Sequence, residues 1–162
     1  MLKLKEIIEF ASRFGTSLRL NESLIAATQG RYFLLNLRTR KLLSKDFFYA
    51  GIYLGKVKDG LFFPSFILLA MIASAEGTNK VVVDAKSEWL FIVGRDIFSQ
   101  GITKVIGSNK KGAYTVVVNQ HDECLGFGRI LHDLGDKDER HLVAVRNVSD
   151  IGDFLRRERR YE

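Results

Sequence analysis

Four consecutive residues place a thiol, an imidazole and two carboxylates together: His121, Asp122, Glu123 and Cys124. A thiol beside an imidazole can supply a nucleophile and its base, and the same donors can bind a metal ion. The four residues fall between two segments of strand character, at the predicted tip of a hairpin, where water has free access. A polar turn is therefore the favoured interpretation.

An acidic stretch follows, in which His132 and Asp133 precede Asp136, Asp138 and Glu139. Carboxylates at this density could hold a hard cation, but a calcium-binding loop needs alternating ligands and a glycine at fixed positions. That order is missing. A solvated loop is predicted here.

Two glycine motifs resemble nucleotide-binding loops only in part. The segment from Gly51 to Val57 is one residue short of a phosphate-binding loop and lacks the hydroxyl after its lysine, and Gly126-Phe127-Gly128 lacks the third glycine and the following helix of a dinucleotide motif. We predict that these glycines lie at bulges or where strands cross closely. No catalytic residue, metal or cofactor is predicted, and the protein is not expected to be an enzyme.

The remaining candidates are basic side chains, which can pair with the phosphates of RNA. The candidate RNA-binding residues are Lys104, Lys110, Lys111, Arg129, Arg140 and Arg146 on or beside predicted strands, with Arg156 and Arg157 in the last helix. Ordinary solubilising charges are the alternative, and spacing alone does not decide between the two.

Hydrophobic periodicity and turn residues predict the elements that position these side chains. In the first half they are a helix over residues 3–14, strands at 18–20, 24–28 and 31–37 with a turn at Gln29-Gly30, a connection or short helix at 38–47, a strand pair or one bent strand at 48–58, and an all-apolar central helix at 66–73 with Pro64 in its first turn.

The small, polar segment 75–79 is the predicted boundary between a domain of residues 1–77 and one of residues 78–162. The second half is predicted to contain strands at 80–84, 89–93, 102–106, 114–119, 125–131 and 141–148, a helical turn at 96–100 and a last helix from 149 onward. Short strands at this spacing are typical of a small barrel or sandwich.

Composition limits the class of protein. The chain has 162 residues, of which 46% are hydrophobic and 27% charged, with one Pro, one Cys and a net charge of +6. A disordered, collagen-like or disulfide-stabilised protein is excluded, and a reducing compartment is expected. Charges near the N-terminus and the break at Pro64 argue against a signal peptide and a membrane span. Most of the excess positive charge lies in residues 1–77, so a polyanion-binding second half must gather its basic residues on one face.

The second half resembles a PUA domain, a small RNA-binding pseudo-barrel, in the segments Lys80–Val83, Phe91–Asp96, Val116–Val118 and Leu125–Gly128. With Gly51–Lys56, Phe63–Ser65 and the ending Asp150–Arg156, nearly the whole chain is similar to the Nip-seven family of ribosome-biogenesis factors in an archaeal form.

The resemblance implies an α+β protein in which an N-terminal α/β domain, with an antiparallel sheet and helices, precedes a C-terminal PUA pseudo-barrel. It also implies a non-catalytic role in maturing large-subunit ribosomal RNA. RNA would be bound around the last PUA strand, which carries Arg146, and its preceding loop, where Arg140 is the nearest basic residue. Assembly factors, including a Shwachman-Bodian-Diamond-type protein, would bind the N-terminal domain.

The leading hypothesis is therefore a monomeric RNA-binding ribosome assembly factor, cytoplasmic in an archaeon and nucleolar or nuclear in a eukaryote. A protein-interaction adaptor with weak RNA binding is the alternative, because the first half carries excess charge and the aromatic residues Phe47, Phe48 and Tyr49. An accessory subunit of an RNA-modifying enzyme is the third hypothesis, since PUA domains accompany such enzymes.

Overall fold

The computed structural model describes residues 2–44, 46–135 and 141–158. The helices are α1 (Leu2–Ser12), α2 (Leu37–Leu42), α3 (Phe66–Ser74), α4 (Ala85–Ile92) and α5 (Ile151–Glu158). The strands are β1 (Ile25–Thr28), β2 (Arg31–Leu34), β3 (Ile52–Lys58), β4 (Leu61–Pro64), β5 (Lys80–Val83), β6 (Ile97–Phe98), β7 (Ile102–Ile106), β8 (Tyr114–Val118), β9 (Cys124–Ile130) and β10 (Val143–Asp150). Within these ranges, no helix has the length and apolar character needed to cross a membrane.

The first half forms an antiparallel sheet in the order β1-β2-β3-β4. Its outer pairs are joined by tight turns whose residues have positive φ: Gln29 (49°) with Gly30 (73°), and Asp59 (52°) with Gly60 (74°). Two successive positive φ angles match the right-handed twist of a hairpin. The predicted turn at Gln29-Gly30 is confirmed.

Helix α3 packs against β3 and against two strands of the second half, β8 and β9. It begins where the Ser65 side chain accepts a hydrogen bond from the Leu68 amide at 3.1 Å. Leu68, Leu69 and Ile72 are fully buried, as an all-apolar helix requires. Pro64 is not in its first turn as predicted, because it pairs with Gly55 at the end of β4.

The second half forms a curled half-barrel in the order β6-β10-β9-β8-β5-β7. Its neighbouring strands are antiparallel except β5 and β8, which run parallel. The α+β class predicted from sequence, with an antiparallel sheet and helices ahead of a pseudo-barrel, is confirmed.

Residues on the two faces of the second sheet belong to different hydrophobic clusters. On one face, Val81, Val117, Ile130 and Val145 pack with Phe91 of α4. On the other face, Val116, Val118 and Phe127 join a cluster of the first half that includes Phe10, Phe14, Leu54 and Ile72. The first half therefore shares a hydrophobic cluster with one face of the second sheet, and the division near residue 77 stays a prediction.

Several predicted elements differ from the structure. The strand predicted at 89–93 is wrong: residues 89–92 belong to helix α4, which starts where the Asp84 side chain accepts a hydrogen bond from the Ser87 amide at 2.7 Å. Residues 18–20 and 48–51 are not strands. Residues 97–98 form strand β6, and the predicted helical turn is confined to Ser99–Gly101. The short helix predicted within residues 38–47 is α2, which begins one residue earlier, at Leu37, and ends at Leu42.

The two glycines of β9 lie where this strand crosses β10 closely, as predicted. A Cβ atom on Gly126 would collide with the backbone of Ser149 and Asp150, and one on Gly128 with the carbonyl oxygen of Arg146. Gly126 also has a φ of +144°, which other residues rarely adopt. Glycine is therefore required at residues 126 and 128. The close approach of β9 and β10 at these glycines sets the position of Arg146.

Candidate nucleic-acid interface

Arg129 on β9 and Arg146 on β10 are direct partners in the antiparallel register. Partners across an antiparallel pair project from the same face, and both side chains are exposed. Like charges opposite each other destabilise a sheet. Within the described part of the chain, neither arginine has an ion-pair partner. The pair therefore offers two guanidinium groups to an external anion.

Arg129 is held in place by its neighbours. Its Nε atom donates a hydrogen bond to the Gly112 carbonyl oxygen at 3.1 Å, and its guanidinium carbon lies 5.8 Å from the centre of the Tyr114 ring. Tyr114 is its register partner on β8. Tyr114, Arg129 and Arg146 therefore form a row across three adjacent strands, which we call the arginine row.

Two predicted lysines, Lys110 and Lys111, lie in the loop between β7 and β8, which we call the lysine loop. Gly112 of this loop accepts the hydrogen bond from Arg129. Asp133 organises this loop: it accepts a hydrogen bond from the Lys111 amide at 2.8 Å and forms an ion pair with Lys110 at 2.9 Å. The hydrogen bond from Lys111 and the contact with Lys110 hold the pKa of the Asp133 carboxyl below its usual value. The charge of Lys110 is thus partly neutralised, whereas the Lys111 side chain is exposed.

Two other predicted residues, Lys104 and Arg156, are not part of the arginine row. Lys104 is exposed on β7, the opposite edge strand of the sheet. Arg156 binds Asp150 through both carboxylate oxygens and donates to the Ile92 carbonyl oxygen. Arg140 and the side chain of Arg157 lie outside the described residues.

Arg13 contributes to this surface, although the sequence did not single it out. It follows α1, and its guanidinium carbon lies 5.8 Å from the ring centres of both Phe10 and Tyr114. Arg13 and Arg129 thus both contact the same tyrosine, one from each half of the chain. No sequence pattern could have linked Arg13 to Tyr114, because only the packing of the two halves brings them together.

A cleft of about 230 Å³ opens between the two halves beside the arginine row. Its walls come from α1, β4 and the three strands that carry the row. They include Phe10, Arg13, Phe63, Tyr114, Phe127 and Val148. We call this space the junction cleft. Arg13 contributes its charge, and none of the described residues that line the cleft is acidic.

The reactive residues at 121–124 form the predicted polar turn. The Asn119 side chain organises it by accepting hydrogen bonds from the His121 and Glu123 amides at 2.9 and 3.0 Å. Burial raises the pKa of the Cys124 thiol to about 11, so it is protonated at neutral pH. Among the described residues, no group of three His, Cys, Asp or Glu side chains is placed to hold a metal ion.

Comparison with solved structures shows the fold. A conserved PUA domain protein from Thermoplasma acidophilum is similar with a TM-score of 0.61 and 23% identity, covering 95% of this chain and 92% of that one. A hypothetical protein from Pyrococcus horikoshii gives a TM-score of 0.53 with 17% identity, over 90% of this chain and 87% of that one. A PUA domain from Aeropyrum pernix, solved with tartrate, gives 0.51 with 22% identity, over 60% and 56%. The predicted PUA fold is confirmed.

Sequence comparison identifies the family. A UPF0113 protein from Archaeoglobus fulgidus is 31% identical over 125 residues, which cover 70% of this chain and 64% of the relative, less than two thirds of its length. Residues 79–159, half of the chain, match the family described as the UPF0113 PUA domain. The chain therefore belongs to the UPF0113 PUA domain family.

Proposed function

We propose that this protein is a non-catalytic RNA-binding protein and that its RNA surface is the arginine row with the adjoining lysine loop. The observation that carries the proposal is the Arg129–Arg146 register pair, exposed and without an acidic partner in the described chain. Two guanidinium groups on adjacent strands can each bind a backbone phosphate of a single strand. A bound phosphate removes the repulsion that the empty pair carries.

The resemblance of the chain to ribosome-biogenesis factors supports a finer role. On this proposal the RNA is large-subunit ribosomal RNA, the protein acts as a monomer in the cytoplasm of an archaeon, and the first half binds other assembly factors. A factor of this kind needs no cofactor and only modest affinity, because several weak contacts within one particle add their effects.

A second function, protein docking, is favoured by one observation on the first half. Large apolar side chains on and after α2 are exposed there: Leu42 is 86% exposed and Phe48 77% exposed. Basic Arg38 and Arg40 lie on the same short helix. We propose that assembly factors, including a Shwachman-Bodian-Diamond-type protein, bind here. A pull-down after nuclease treatment tests this proposal, because loss of every partner after treatment would show that RNA bridged them.

The RNA proposal is tested by the double variant Arg129→Ala/Arg146→Ala. Binding of a single-stranded RNA is measured at several salt concentrations. The slope of the logarithm of the binding constant against the logarithm of the salt concentration should fall by about 0.7 for each lost phosphate contact. The double variant should therefore show a slope smaller by about 1.4 and bind the RNA about tenfold more weakly.

The control removes the same charge elsewhere, by Arg38→Ala/Arg40→Ala on α2, where both arginines are exposed. This variant should keep the slope of the natural protein. Equal losses in the two double variants would overturn the site, because they would show that only net charge matters.

A further inference from the structure

We propose that the junction cleft takes a single unstacked nucleobase of the RNA strand whose phosphates bind Arg129 and Arg146. The inference rests on the proposed function and adds a base-binding site formed by both halves of the chain. It is motivated by the position of aromatic walls directly beside the arginine row.

The composition of the cleft fits a base. Phe127 packs against the rings of both Phe10 and Tyr114, with ring centres 5.6 Å apart for Phe10–Phe127 and 6.3 Å for Tyr114–Phe127. On the open side, Phe63 is 37% exposed and Val148 49% exposed. Bases stack on aromatic rings and on arginine planes, and Arg13 supplies such a plane at the wall.

The size of the cleft limits its occupant. The cleft has a volume of about 230 Å³. Pockets for drug-sized ligands begin at about 300 Å³. The cleft is therefore suited to one heterocyclic ring system, with the sugar and phosphates left outside.

The arginines beside the cleft indicate where the phosphates of the bound strand would lie. The guanidinium carbon of Arg129 lies 5.8 Å from the ring centre of Tyr114, a wall residue, and Arg146 precedes the wall residue Val148 by two positions on β10, where the register with β9 shifts between Asn147 and Ser149. Two residues of a regular strand span about 6.6 Å, which is the upper limit here. A strand that inserts one base therefore carries its neighbouring phosphates past the arginine row. An apolar side chain of a protein carries no phosphate that could pair with Arg13, Arg129 or Arg146.

The test compares two probes that share a sugar-phosphate backbone: a single-stranded RNA of about ten nucleotides, and an abasic ribose-phosphate oligomer of equal length. The unmodified protein should bind the RNA at least about fivefold more tightly than the abasic oligomer, because stacking is available only to the RNA. Equal affinities would overturn the inference without any substitution.

Two variants then test the cleft itself. Val148→Trp fills it and Phe63→Ala removes a wall, and each should lower the RNA affinity to that of the abasic oligomer while leaving the abasic affinity unchanged. The matched controls are Leu142→Trp and Trp89→Ala, which alter equally exposed or more exposed apolar residues outside the cleft. These should bind both probes normally.

The outcomes separate the two proposals. If the cleft variants bind RNA normally while Arg129→Ala/Arg146→Ala binds weakly, the base site is wrong and the RNA surface stands; this is the result expected if the cleft serves a protein side chain. If the double arginine variant also binds RNA normally, the RNA surface is wrong. A loss of affinity for both probes in the cleft variants would also overturn the base site.

Discussion

Asp150 and Arg156 form a two-point ion pair in which the Arg156 Nη2 atom lies 3.0 Å from Oδ1 and 2.9 Å from Oδ2 of the carboxylate. The Asp150 side chain is only 3% exposed and also accepts hydrogen bonds from the Asp153 amide and the Asn147 side chain. Arg156 further donates to the Ile92 carbonyl oxygen of α4. Arg156 thus bonds α5 to both β10 and α4.

Arg156→Ala should destabilise the protein without changing RNA affinity. Breaking the pair leaves a buried carboxylate with two remaining donors, so we expect a loss of about 2–3 kcal/mol in the free energy of unfolding. Urea denaturation measures this. Arg146→Ala is the matched control and should show the reverse, a stability change within about 0.5 kcal/mol and weaker RNA binding. If the Arg156→Ala variant is folded and binds RNA more weakly, Arg156 contacts the RNA, as the sequence predicts, and this account is wrong.

Lys104→Ala should leave RNA affinity within about twofold of the natural value. Two strands, β8 and β5, separate β7 from the β9 strand that carries Arg129, which is about 14 Å at the usual strand spacing. Filter binding of the same RNA to Arg129→Ala supplies the comparison. A loss as large as that of Arg129→Ala would mean that the RNA crosses the whole sheet.

Gly126→Ala should prevent normal folding or cost at least about 4 kcal/mol, because the new methyl group would meet the backbone of β10. Gly60→Ala is the control. Gly60 also has a positive φ, of 74°, but nothing lies within 4 Å of its Cβ position, so only the backbone strain of about 1–2 kcal/mol remains. Thermal unfolding followed by circular dichroism distinguishes the two. Similar losses in both variants would contradict the close crossing.

Cys124 should react slowly with iodoacetamide in the folded protein. Burial raises the pKa of its thiol from 9.0 to about 11, so the thiolate fraction at pH 8 falls about 100-fold. The folded state holds this proton more tightly than the unfolded chain. Its contribution to stability is therefore present below pH 9 and is lost as the pH rises from about 9 through 11. Mass spectrometry measures alkylation in buffer and in urea, and equal rates would contradict the burial.

The sequence predicts elements well where a local pattern decides the structure. Gln29-Gly30 marks a hairpin and forms one, and the apolar run at 66–73 forms α3. The β3–β4 hairpin was missed although Asp59-Gly60 is an equally good turn pair. The strand prediction at 89–93 rests on the apolar run alone and is wrong, because Asp84 caps a helix ahead of it.

The candidate site was only partly predictable, for a physical reason. Arginine side chains are usually exposed, so each of Arg129 and Arg146 can be expected at the surface, but only the register makes them neighbours. Arg156 has the same side chain and is used inside the fold, because Asp150 is buried beside it. The junction cleft depends on contacts between α1, β4 and the second sheet, which no local pattern contains.

The central claim is that RNA binds at the arginine row and the junction cleft. Ultraviolet crosslinking in native cells tests it most directly, with sequencing of the bound RNA and mass spectrometry of the crosslinked peptides. We expect fragments of large-subunit ribosomal RNA, crosslinked to peptides that contain Phe63, Tyr114 or residues 127–148. Crosslinks confined to the region around α2, or scattered RNA without a preferred peptide, would contradict the account.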